Sequence, residues 1–170
     1  VGDEVTTPLP GDFGLTRIEG LTGRLINLGQ HLIGDGAPVQ HALVYVGGGM
    51  VVQAMPGGAE LIPLEEASPV VAWSTGVVPL TSEERAAITL HARSLVGTPY
   101  SFLDYASIGL AFYRIRPRWV RDYVADTGHL ICSQLVDEVY LRAGVHLFSD
   151  GRIPGDVTPG DLWKVVCGRG

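Results

Sequence analysis

The chain has 170 residues, of which 46% are hydrophobic and 18% charged, with a formal net charge of −6. That balance excludes a disordered chain and fits one domain over residues 1–170, large enough to bury a core. The acidic excess argues against nucleic acid as the partner, no apolar run reaches the ~18–20 residues of a membrane span, and the polar start, Val1 to Pro10, lacks the pattern of a signal peptide.

Taken in chain order, Pro10-Gly11-Asp12 reads as a turn that feeds a short strand, Phe13 to Ile18. Leu21 to Ile33 carries apolar residues near helical period and stops at Gly34-Asp35-Gly36. His41 to Val46 is a strand, Gly47-Gly48-Gly49 a tight turn, and Met50 to Ala54 the returning arm of a hairpin. After Pro56-Gly57-Gly58 come two more strands, Ala59 to Pro63 and Val70 to Trp73. Thr81 with Glu84 three positions on is a capping box that opens a helix. Its buried candidates are Ile88, Leu90, Ala92, Leu95 and Val96, and Gly97 ends it. Tyr100 to Phe112 reads as an apolar helix. Cys132 to Ala143 is a second strong helix, with Leu135, Val136, Val139, Tyr140 and Ala143 on one stripe. The tail is turn-rich and reads as a short strand around Trp163 to Val166. Strands dominate the first half and helices the second, which argues α+β.

Two cysteines, Cys132 and Cys167, are too few for a disulfide framework, and no Cys/His cluster has zinc-ligand spacing. No metal or cofactor is expected. His91 and His146 receive no role. Cys132 opens a helix, where unpaired N–H groups and the helix dipole favour a thiolate. The bland alternative is a buried structural cysteine. His41 starts a strand and is a candidate base for that thiol. If the three glycines are the whole turn, Leu43 opposes Gln53, and Gln53 is then a diagonal neighbour of His41. A two-residue turn would put Gln53 on the other face. A glutamine can accept from imidazole and fix its tautomer, but it carries no charge.

Six motifs stand in order: Pro10-Gly11-Asp12, the strand from His41 to Gly47, Gln53-Ala54, Gly97-Thr98-Pro99-Tyr100, Cys132-Ser133-Gln134-Leu135, and Thr158-Pro159-Gly160-Asp161-Leu162. Over about residues 8–166 the chain resembles the circularly permuted NlpC-like cysteine hydrolases, a branch of the papain-like fold. The resemblance implies a permuted papain-like α+β fold in which the histidine-bearing sheet precedes the cysteine-bearing helix. It implies Cys132 as nucleophile, His41 as general base and Gln53 at the position of the third polar residue, which in the family is often an acid. Tyr100 resembles a tyrosine that lines the site, and Tyr45 and Ser133 are further candidate substrate contacts. Asp12 is expected to tie down its turn. The implied activity is cleavage of amide bonds in bacterial cell-wall peptides, next to D-glutamate or the diamino acid, by a protein of the cell envelope or of a phage particle.

Two other functions stay open at this point. Relatives of the fold act on lipid acyl esters and amides, as hydrolases or acyltransferases. Phe102, Ile108, Leu110, Ala111, Phe112 and Trp119 beside Arg114, Arg116, Arg118 and Arg121 would suit an anionic, membrane-facing contact. Four arginines in such a stretch more often form a solvated face. The neutral Gln53 also leaves room for a binding or structural module that has lost turnover.

Overall fold

Short, largely apolar runs and closely spaced glycines build the described strands of the first half into a sheet. The computed structural model describes residues 7–17, 38–55, 58–98, 129–152 and 157–168. Five strands are present among them: β1 (Phe13–Thr16), β2 (His41–Tyr45), β3 (Met50–Met55), β4 (Gly58–Pro63) and β5 (Val70–Trp73). They form one sheet in the order β4-β3-β2-β1-β5, and every neighbouring pair is antiparallel. Three helices are described: α1 (Ser82–Ser94), α2 (His129–Arg142) and α3 (Pro159–Val166). The architecture is therefore α+β. The helices expected over Leu21 to Ile33 and Tyr100 to Phe112, and the arginines from Arg114 to Arg121, lie outside the described residues.

The core forms where α2 lies on β2 and β3. Ala42, Val44, Val52 and Ala54 from the strands meet Leu135, Val136, Val139 and Tyr140 from the helix. Burial of each of these larger aliphatic side chains is worth about 1.5–3 kcal/mol against exposure. Leu43 and Val51 point the other way by strand alternation, and both are fully buried outside that cluster. At Gly14 a Cβ would come within 2.7 Å of the Trp73 ring, so glycine lets that indole lie against β1.

The turn before β1 is locked by Asp12, which is fully buried. Its carboxylate accepts from the Leu9 N–H at 2.9 Å, the Thr75 hydroxyl at 2.7 Å and Arg85 Nη1 at 2.8 Å. Tyr140 reaches the same turn, donating its hydroxyl to the Gly11 carbonyl at 2.6 Å. The strand, the first helix and the second helix are thus joined at one corner.

Several sequence expectations need correction. The tail from Trp163 to Val166 is helical, because Thr158 and Asp161 form a reciprocal capping box and Pro159 occupies the first turn of α3. Over the described residues α2 runs His129–Arg142, so helix already covers the three residues before Cys132. The capping box of Thr81 and Glu84 is present on α1, yet Leu90 is 67% exposed. Ile88 and Ala92 face the core, and Leu90, two positions from each, lies on the opposite side of the helix. Val96 is also exposed, because its segment leaves the helix to form a parallel bridge with Ala59 of β4.

Candidate active site

The hairpin of β2 and β3 sets the geometry. Gly47, Gly48 and Gly49 all have positive φ, at 83°, 63° and 73°, a run that side chains would resist. Val46 and Met50 close the turn, with the Val46 N–H donating to the Met50 carbonyl at 3.0 Å. Leu43 consequently stands opposite Gln53. His41 shares the face of Leu43, and Gln53 lies diagonal to it. The contact forms: His41 Nε2 and Gln53 Oε1 are 2.8 Å apart. An amide oxygen can only accept, so Nε2 carries the hydrogen and Nδ1 is the basic nitrogen of the neutral ring.

A third residue joins this pair. Gln53 is directly opposite Glu60 of β4, and its amide nitrogen donates to Glu60 Oε1 at 2.7 Å. His41 and Gln53 are buried, whereas Glu60 is exposed. Sequence reasoning missed Glu60. The expected turn at Pro56-Gly57-Gly58 would pair Met55 with Ala59 and Gln53 with Leu61; β4 instead starts at Gly58, which stands opposite Met55, and this brings Glu60 opposite Gln53.

Cys132 is the fourth residue of α2 and hydrogen-bonds the His41 ring. Its side chain is fully buried, packed in the same cluster as Leu135 and Val136. Burial pulls the basicity of His41 down. The charge and hydrogen bond of Cys132, the hydrogen bond of Gln53 and the charge of Glu60 together outweigh burial, and the imidazole sits above its ordinary pKa. An imidazolium next to a thiol favours the thiolate in turn. Chemically the arrangement is a thiol, a base and a chain of polar groups behind the base.

The remaining candidates are spread more widely. Ser133 is buried and donates its hydroxyl to the Val157 carbonyl at 2.6 Å, which ties α2 to the start of α3. Tyr45 is half-buried, with its ring edge-on to Trp73 and its hydroxyl accepting from the Gly49 N–H at 3.2 Å. Tyr100 lies outside the described residues. Thr16, directly opposite His41 on β1, is fully buried with a hydroxyl that has no hydrogen-bond partner among the described residues. It was not anticipated either, and nothing in the sequence marks it. Asp12 serves the turn and takes no part in the cluster of Cys132, His41 and Gln53.

Among the described residues no group of three or more His, Cys, Asp or Glu side chains is placed to hold a metal ion. No helix among them is long and apolar enough to cross a membrane. No protein-family model, curated protein or solved structure matches the chain.

Proposed function

We propose that the protein is a cysteine hydrolase with a permuted papain-like fold that cleaves amide bonds, with bacterial cell-wall peptides as the substrate class. The observation that carries this reading is the contact of His41 with both Cys132 and Gln53. In the reaction His41 Nδ1 takes the thiol proton and Cys132 sulfur attacks the substrate carbonyl. Backbone N–H groups in the first turn of α2 hold the oxyanion. The tetrahedral intermediate collapses to a thioester as the C–N bond breaks, and His41 returns its proton to the leaving amine. Water, deprotonated by His41, then opens the thioester and releases the acid and the thiol.

The substrate class comes from the ordered motifs alone. The test is direct: incubate the protein with purified peptidoglycan and measure newly released amines. Release that disappears in Cys132→Ala supports the reading. A protein that releases none, and whose Cys132 is alkylated no faster than the exposed Cys167, overturns it.

A further inference from the structure

A neutral amide can turn either end to an imidazole, and the two ends have opposite consequences. With its oxygen toward the ring, Gln53 accepts from Nε2–H and leaves Nδ1 as the base. With its NH2 group toward the ring, it would oppose the imidazolium and move the neutral ring's proton to Nδ1. Something must choose between them. Glu60 does so by chemistry: a carboxylate only accepts, so the amide end 2.7 Å from it must be the NH2 group. The opposite end, the oxygen, then faces His41 at 2.8 Å.

We propose that Glu60 is a positioning residue of this site: its carboxylate locks the Gln53 amide, and the amide in turn assigns Nδ1 of His41 as the base for Cys132. The charge that a third-position acid would supply is thereby set one strand further out. The placement is built into the sheet. Gln53 and Glu60 are paired across β3 and β4. β4 is held on its other side by the Gly97 N–H donating to the Ala59 carbonyl at 2.9 Å and by the Ala59–Val96 bridge. Because Glu60 is exposed, its influence is screened by water and weakens with salt.

The inference rests on the cysteine-hydrolase reading, and the experiment separates the two. The ring signals of His41 are followed by NMR in the full chain carrying Cys132→Ala, with and without Glu60→Ala. The expected result is a His41 pKa lower by about 0.4 pH unit, the scale of one charge lost through a high dielectric. The nitrogen shifts of the neutral ring should also move from Nε2–H toward a mixture of tautomers. Glu60→Asp should restore part of both, and high salt should reproduce part of the pKa change in the chain that retains Glu60. A His41 pKa and tautomer unchanged by Glu60→Ala overturn the positioning role, whatever the turnover. Alkylation of Cys132 that is indifferent to His41→Ala overturns the hydrolase reading instead.

Discussion

Gln53 accepts from His41 Nε2 at 2.8 Å although the two residues are not a directly opposed pair; the contact is diagonal across the hairpin. Such a bond depends on a register that one extra turn residue would destroy. Gln53→Ala removes the acceptor and leaves the ring free to reorient. The alkylation rate of Cys132 at neutral pH should fall by about tenfold, the worth of one hydrogen bond to a charged group. Gln53→Glu should act differently. It places two carboxylates directly opposite each other at positions 53 and 60, so melting temperature should drop, while the His41 pKa rises further.

The raised pKa of His41 fixes the expected pH profile. A thiolate–imidazolium pair persists until the imidazolium loses its proton, and a raised pKa moves that limit upward. Cys132 alkylation should therefore hold a plateau through neutral pH. In His41→Ala the plateau should vanish and the buried thiol should titrate no lower than its ordinary ~8.5, so that the rate at pH 6 falls by at least about 100-fold. Cys167, exposed on the same molecule, is the internal reference, read separately by peptide mass spectrometry. A plateau that survives in His41→Ala would count against the pair.

Register was legible because its determinants are local. Three consecutive glycines define a turn, alternation defines faces, and the diagonal contact of His41 with Gln53 follows by counting. The helix boundary at Cys132 was less legible, because the apolar stripe that marks α2 starts only at Leu135 and says nothing of the turn before Cys132. Leu90 misled because it is apolar in a helix whose buried face consists only of Ile88 and Ala92. Glu60 was not legible from the hairpin, because it sits on β4, one strand beyond the two that carry His41 and Gln53. The full burial of Cys132 stood in the sequence only as the alternative of a structural cysteine, since it depends on tertiary packing against the sheet.

The capping box of α3 should be measurable in stability. Thr158 Oγ1 accepts from the Asp161 N–H at 3.1 Å, and an Asp161 carboxylate oxygen accepts from the Thr158 N–H at 3.1 Å. Thr158→Ala should cost about 1 kcal/mol. That is a fall in melting temperature of ~2–4 °C for a chain this long. Thr158→Ser should keep most of the stability, since it keeps the hydroxyl. Equal melting temperatures for parent and alanine variant would mean that the cap is not supporting α3.

Asp12 should prove structural. It is fully buried and holds Arg85, Thr75 and the Leu9 N–H together. Asp12→Ala strands three donors. Arg85 retains some contact with water, so the loss should be about 2–3 kcal/mol, below the full cost of breaking a deeply buried pair. The fall in melting temperature should be about 5–10 °C. Below the transition, the pH dependence of Cys132 alkylation should stay where it was, because Asp12 does not touch His41.

Asp137 should behave in the opposite sense. It is buried on α2, and burial followed by the nearby charge of Glu138 raises its carboxyl pKa, against the opposing pull of Arg152 and His146. The folded state therefore holds the proton to higher pH than the unfolded chain. That contribution is fully favourable below the ordinary carboxyl value of 3.8 and is lost as pH rises through the raised value. At neutral pH the ionised, desolvated carboxylate is a net cost. Asp137→Asn removes the charge and keeps the shape, so it should raise the melting temperature at pH 7. At pH 3 both side chains are neutral in both states, and the difference should close. A variant that is less stable at pH 7 would show instead that the attraction of Asp137 to Arg152 and His146 outweighs its burial.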